Sequence, residues 1–242
     1  MVKYRINKFL SRAGVSSRRQ ADELIKEGRI SINGEIICSV GTMVDYPSDL
    51  VSFDGEKVVL EDENVCIALH KPVGYICSNK DPKGRPLLKE LFPIDYKDKL
   101  MSVGRLDFDT EGLIVLTNNG DLAHRMMHPK YELSKEYLVL LNKPLKDSDM
   151  LSIKNGKIVL EDGPLSKVKL SVGDSRKVLW KIVVHEGRNR FVRRIFETVG
   201  YEVLSLKRIA VGPIKLAELP LARYRYLSKG EMDGLAKILK GF

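Results

Sequence analysis

Gly104-Arg105-Leu106-Asp107-Phe108-Asp109-Thr110-Glu111-Gly112-Leu113, running on into Ile114-Val115-Leu116, is the stretch from which the rest of the chain is read. A polar turn bounded by glycines delivers an apolar strand. Asp107 and Asp109 therefore stand at the edge of a sheet instead of on a helical surface. Asp also favours turns for local hydrogen-bonding reasons, so on these ten residues a capping role and a chemical role stand level. In a basic protein, a carboxylate fixed at a sheet edge is a candidate for chemistry on an anionic polymer.

Outward from that turn, the second part of the chain mixes strands and helices without strict alternation. Strands are expected at 66–70, 113–117, 136–141, 167–172 and 178–185, and helices at 121–127, 148–154 and 188–199. Lys71-Pro72-Val73-Gly74-Tyr75 reads as a loop, and Asn79-Lys80-Asp81-Pro82-Lys83-Gly84-Arg85-Pro86 as a basic loop rich in breakers. The pattern predicts an α+β domain whose sheet is mixed, mostly antiparallel and flanked by helices, not a doubly wound parallel sheet.

The first sixty residues read as a separate αα-β module. Ile6, Phe9, Leu10 and Ala13 recur at helical spacing up to Gly14. Ser17-Arg18-Arg19-Gln20 is a capping box for a second helix with Ala21, Leu24 and Ile25 on its buried stripe, ended by Gly28. Residues 29–32 and 35–37 flank Asn33-Gly34, a hairpin signal, and 51–55 adds a strand and turn. The acidic run Glu61-Asp62-Glu63-Asn64 marks a boundary, giving domains 1–62 and 63–242. Charge is distributed unevenly across the module. Residues 1–29 carry eight basic side chains against three acidic ones, whereas Lys57 alone faces seven acids over 30–62. Both buried stripes lie on one side, so Lys8, Arg12, Arg18 and Arg19 project outward together, as a nucleic-acid-facing surface requires. The formal charge of +9 on 242 residues agrees with a polyanionic partner.

A second constellation is His185-Glu186-Gly187-Arg188-Asn189-Arg190-Phe191-Val192-Arg193-Arg194. Four arginines gather at a helix start whose apolar face is Phe191, Val192, Ile195, Phe196 and Val199. They repel one another unless phosphates or a carboxylate such as Asp107 meet them. At the start of an expected strand, Lys135 and Tyr137 share a face, a pairing of cation and aromatic suited to stacking on a base.

Other chemistries are poorly represented. His124 and His128 have helical spacing but lack the acid of a zinc hydrolase, and Cys66 with His70 is two ligands without companions. No phosphate-cradling loop, dinucleotide fingerprint or nucleophile elbow occurs, so neither a metal nor a nucleotide cofactor is expected. Three cysteines without a C-x-x-C pair suit a reduced, cytoplasmic setting, and no run is long enough to span a bilayer.

Taken together, these segments resemble the ribosomal RNA pseudouridine synthases of the RsuA/RluB type, nearly end to end. Residues 8–19 are similar to the small RNA-binding module first named from a small-subunit ribosomal protein. Lys71-Pro72-Val73-Gly74-Tyr75 resembles the loop opening the family's catalytic domain, and Leu206-Lys207-Arg208-Ile209-Ala210-Val211-Gly212-Pro213 resembles its closing stretch. The resemblance places Asp107 at the catalytic position, Tyr137 against the target base, and Arg193 where the family pairs an arginine with the catalytic aspartate. It implies that Arg105, Lys135, Arg188 and Arg190, with the module's Lys8, Arg12, Arg18 and Arg19, contact RNA. It also implies conversion of uridine to pseudouridine by base flipping, without cofactor, by a monomer. The loop at 81–86 is more like the branch acting on large-subunit rRNA. Phe191 departs from the family pattern, which usually has glutamine there. Two other readings remain open, a non-catalytic ribosome-associated RNA-binding protein and a metal-free hydrolase using Asp107 and Asp109.

Overall fold

The structure, a computed structural model, describes residues 1–60, 64–78, 80–92, 100–166 and 168–240. The boundary expected at 62/63, Asn79 of the basic loop and position 167 lie outside the described residues. The chain divides into two compact units, Met1–Val65 with Asn118–Gly120, and Cys66–Thr117 with Asp121–Phe242.

The first unit contains β1 (Val2–Arg5), α1 (Ile6–Arg12), α2 (Arg18–Lys26), β2 (Ile30–Ile32), β3 (Glu35–Ile37), β4 (Met43–Tyr46), β5 (Val51–Phe53) and β6 (Glu56–Val58). β1 pairs with β4, and the other four strands form an antiparallel sheet in the order β3-β2-β5-β6. The capping box forms as its sequence dictates, with Ser17 accepting from the Gln20 backbone and the Gln20 side chain from the Ser17 backbone. Asn33 and Gly34 take positive φ, 52° and 88°, the twist that a two-residue hairpin needs. Ile6, Phe9, Leu10, Ala21 and Ile25 are fully buried with Ile30, Val44 and Val51, leaving Arg18 and Arg19 exposed on the other side of α2.

The second unit is built on β7 (Cys66–Lys71), β8 (Met101–Val103), β9 (Glu111–Thr117), β10 (Lys135–Leu141), β11 (Val159–Leu160), β12 (Gly163–Pro164), β13 (Lys169–Val172), β14 (Leu179–Val184), β15 (Val203–Val211), β16 (Ile214–Lys215) and β17 (Tyr224–Tyr226). Its helices are α3 (Gly120–Met127), α4 (Asp147–Lys154), α5 (Phe191–Thr198) and α6 (Lys229–Ile238). The main sheet runs β13-β14-β10-β15-β9-β7-β17, with β16 on β15 and β8 on β9. Among the described pairs of named strands only β9 and β15 are parallel, with one isolated parallel bridge between Ile76 and Leu87; the rest are antiparallel, so the fold is α+β with a mixed sheet. Cys66, Ala68, Leu113 and Val115 pack with Leu122 and Met126 of α3 and with Leu235 of α6. All six residues of β7 are buried, as a covered central strand requires.

Two expectations are corrected. Lys71 ends strand β7 instead of opening a loop. The helix expected from 188 begins at Phe191, because Arg190 takes a left-handed φ of 45° and Asn189 and Arg190 form a turn closed by the Phe191 N–H on the Arg188 carbonyl. The sequence pattern gives no strand at 203–211, where nine-residue β15 carries the middle of the sheet.

Candidate active site

The turn at 104–110 joins β8 to β9 and is held from beneath by Lys71. Its side chain is fully buried at the end of β7. The ammonium has three N–H groups. They donate to the carbonyls of Pro72 (2.9 Å), Asp107 (3.1 Å) and Thr110 (2.8 Å). Burial lowers the Lys71 pKa, while attraction to Cys77, Asp107 and Asp109 works against that fall. The backbone of Thr110 also donates to the Asp107 carbonyl, and Leu106 N–H points at Cys77 Sγ at 3.5 Å. Asp107 is thus fixed through its own backbone. Its side chain is half-buried and Arg105 is exposed.

β9 leaves this turn through Gly112, whose φ is +119°. A Cβ there would lie 2.3 Å from the Arg208 carbonyl oxygen, so the parallel approach of β9 to β15 depends on its absence. Arg208 is buried and donates from Nε to the Leu113 carbonyl at 2.7 Å. On its other side, β15 pairs with β10, and Arg208 lies opposite Tyr137 across a bulge. Tyr137 is buried, at 8% exposure. One residue of β15 therefore separates the strand leaving the Asp107 turn from the strand bearing Tyr137, a lateral span of about two strand spacings, ~10 Å. Lys135 reaches back to the carbonyls of Leu133 and His185 at 3.4 and 3.3 Å, and burial together with nearby Arg208 lowers its pKa.

The arginines of the second constellation spread over four carboxylates, with Arg188 on Glu186 at 2.8 Å and Arg190 3.9 Å from Glu197 beside the pairings at Asp109 and Asp162. Arg193 was expected on Asp107. Instead its Nη2 meets Asp109, at 2.8 Å from the carbonyl and 3.2 Å from Oδ2, while Nη1 donates to the Val203 carbonyl at 2.9 Å. Arg190 also approaches Asp109, at 3.3 Å. The left-handed turn at Arg190 places the start of α5 so that these two side chains reach the 104–110 segment. Arg188 and Arg194 meet Asp162 at 2.9 and 2.7 Å, and Arg188 further donates to the carbonyls of Gly163 and Pro164. The hydrogen bond from Arg194 holds the Asp162 carboxyl below its usual range. Arg188, expected on RNA, is thus engaged in fastening the β11–β12 hairpin. Phe191 is buried beneath the Arg188 guanidinium at 4.6 Å.

A further network braces the β7–β9–β15 end of the site. His70 is buried, with Nδ1 2.8 Å from the Leu219 carbonyl and Nε2 2.9 Å from Glu111 Oε1, and Lys207 reaches the same oxygen at 2.9 Å. Burial pushes the Glu111 pKa up, but the hydrogen bonds from Lys207 and His70 outweigh it and hold the group below its ordinary value. Residue spacing carries no sign of this triad or of the Asp109 and Asp162 pairings. Lys71 was visible only as part of a motif.

In the first unit, Arg12 donates to the Tyr4 hydroxyl at 2.8 Å and lies over its ring at 5.5 Å, with Lys8 6.0 Å from the same ring centroid. These two cations are packed on an aromatic, whereas Arg18 and Arg19 are exposed. Among the described residues no group of three metal-ligating side chains occurs, and no helix is long and apolar enough to cross a membrane.

Comparison with known proteins gives concordant results. The family model described as RNA pseudouridylate synthase matches residues 65–198, and the S4 domain model matches residues 5–51. A protein of Aquifex aeolicus (strain VF5) named as an uncharacterized RNA pseudouridine synthase is 42% identical over 240 residues, covering 98% of this chain and 95% of that protein. The Bacillus subtilis (strain 168) protein named ribosomal large subunit pseudouridine synthase B is 39% identical over 235 residues, covering 96% and 95%. A crystal structure of a pseudouridylate synthase superposes with a TM-score of 0.70 at 33% identity, over 96% of this chain and 99% of that one.

Proposed function

The chain belongs to the RNA pseudouridylate synthase family, and on that premise we propose that it isomerises one or more uridines of large-subunit ribosomal RNA to pseudouridine, with Asp107 as the catalytic residue. The large-subunit substrate is inferred from the relative in Bacillus subtilis. The observation that carries the catalytic reading is the mounting of Asp107, whose backbone is tied to a buried ammonium while its side chain stays half-open to solvent.

In this reaction the glycosidic bond breaks, uracil turns, and a ring carbon rejoins the ribose. Nothing is oxidised and no group leaves the RNA, so the chemistry calls for no cofactor. The uridine must leave its stack, at a cost of a few kcal/mol. Asp107 acts through its carboxylate, and the Lys71 amino group, donating to three backbone carbonyls, holds the turn that presents it. Tyr137 lies against the everted uracil, with Arg208 behind it on the neighbouring strand. Arg193 acts at one remove, as a positioning residue that holds the turn through the carbonyl and carboxylate of Asp109. Arg105, Arg190 and Lys135 meet the RNA near the reacting nucleotide.

Residues 1–62 dock the protein on structured RNA, chiefly through Arg18 and Arg19, and 63–242 perform the chemistry. The protein works as a monomer in the cytoplasm, where its three free cysteines stay reduced. The test is incubation of the protein with unmodified large-subunit and small-subunit rRNA transcripts, followed by mapping of pseudouridine at nucleotide resolution. Conversion at a discrete uridine of the large-subunit transcript supports the reading. Conversion of neither transcript overturns it.

A further inference from the structure

Phe108 sits between Asp107 and Asp109 in the turn, and 45% of it is exposed. A single exposed Phe is unremarkable on a protein surface. This one is mounted with unusual firmness. Its carbonyl accepts from the Gly74 N–H at 2.8 Å, so its backbone cannot drift from the loop that follows Lys71. The Arg85 guanidinium lies 5.7 Å from the ring centroid. That guanidinium is itself clamped, because Asp81 receives Nη2 at 2.7 Å, Nε at 3.1 Å and the Arg85 backbone N–H at 2.9 Å. The Arg85 side-chain bond brings the Asp81 pKa down to about 2, so the clamp stays charged across the working range. The loop carrying it is pinned at its base, where Ile76 N–H donates to Pro86 and Leu88 N–H to Ile76, each at 2.9 Å. The guanidinium is held at the ring, and both groups remain accessible, Arg85 through 43% of its side chain.

We propose that Phe108, braced by Arg85, is a stacking platform for the nucleotide next to the target uridine in the substrate strand, with Arg85 receiving that nucleotide's phosphate. The inference rests on Asp107 being the catalytic residue and adds a specificity-determining contact to it. Everting one nucleotide leaves its neighbour without a stacking partner. An aromatic face fixed one residue from the reacting carboxylate replaces that partner, and the cation beside it favours the flanking phosphate. Base–aromatic stacking tolerates sequence, so the platform selects for an accessible, unpaired neighbour more than for a particular base.

The test uses the full chain and a synthetic stem-loop containing the uridine mapped above, together with two versions abasic at its 5′ or 3′ neighbour. Phe108→Ala should lose about 10- to 100-fold in kcat/KM, mostly in KM, and Phe108→Trp should restore it. One of the two abasic RNAs should cost the wild type a similar factor, and Phe108→Ala should add nothing on that RNA. Thermal melts of the variants separate the effect from misfolding. The platform is overturned if Phe108→Ala matches the wild type. It is also overturned if Trp fails to restore a well-folded protein, or if the losses from Phe108→Ala and from both abasic RNAs simply multiply. Asp107→Asn is run in parallel. Its retention of activity would sink the catalytic reading itself, whereas an inactive Asp107→Asn beside a wild-type-like Phe108→Ala sinks the platform alone.

Discussion

Replacing Gly112 with Ala tests the contact on which the arrangement of the site depends. The added Cβ would lie 2.3 Å from the Arg208 carbonyl oxygen, 2.5 Å from its nitrogen and 2.9 Å from its carbonyl carbon. Heavy atoms in contact want about 3.5 Å, so β9 and β15 must part by roughly 1 Å. The φ of +119° adds a second penalty, since an L side chain is strained there. Backbone strain of ~1–3 kcal/mol and overpacking of ~1–3 kcal/mol give a total near 4 kcal/mol. For a chain of this size that corresponds to a fall in Tm of roughly 8–16 °C in the transition of the larger unit, measured calorimetrically on the intact protein. The same separation loosens the Arg208–Leu113 bond and the Glu111–Lys207 pair, which flank the turn. A displacement of that size at a reacting group costs on the order of 100-fold in rate. A Gly112→Ala protein melting within about 2 °C of the wild type and turning over normally would refute the close approach and the role assigned to it.

Three further outcomes are expected. Lys71→Met strands the carbonyls of Pro72, Asp107 and Thr110 but also removes a buried charge; the net loss should be about 2–4 kcal/mol in urea unfolding, with activity falling further than stability, and an unchanged rate would contradict the mounting of Asp107. Glu111 titrates lower in the folded chain than in the unfolded one, so the unfolded state binds its proton first and this group's contribution is lost as pH falls through the folded value. Glu111→Gln should thus be less stable than the wild type at pH 7, with the gap closing below about pH 4.5; a gap constant down to pH 3 would speak against the His70–Glu111–Lys207 network. Changing both Arg18 and Arg19 to Ala should weaken rRNA binding and reduce the log–log salt slope by roughly 1.5–2, and a slope identical to the wild type's would remove these residues from the interface.

Much of this architecture is legible in the residues themselves, and the exceptions have local causes. The first helices and hairpin follow from short-range rules: a capping box at Ser17 and Gln20, a 3.6-residue stripe, and Asn33-Gly34 in a turn that only such residues favour. The strands β1 and β4 escape notice because they are four residues long with one buried position each. β15 is obscured by Lys207 and Arg208 in its middle, charges that normally argue against a central strand. Here the Arg208 Nε is paired with the Leu113 carbonyl, a partner 95 residues away in the chain. The start of α5 lies three residues beyond the one the pattern predicts, because the left-handed Arg190 has no sequence signature. α6 did carry a signal, the Ser228–Glu231 capping box, that periodicity alone passes over. At the site, the identity of the turn was legible from its motif. The seating of Arg193 on Asp109 was not, because it depends on where a helix 84 residues further along the chain brings its first turn.

The most direct test of the central claim is pseudouridine formation by Asp107→Asn on the large-subunit transcript, quantified under single-turnover conditions beside a binding measurement on the same RNA. If Asp107 performs the chemistry, this variant forms no detectable pseudouridine while its RNA affinity stays close to that of the wild type. Conversion by Asp107→Asn at the wild-type rate would contradict that role.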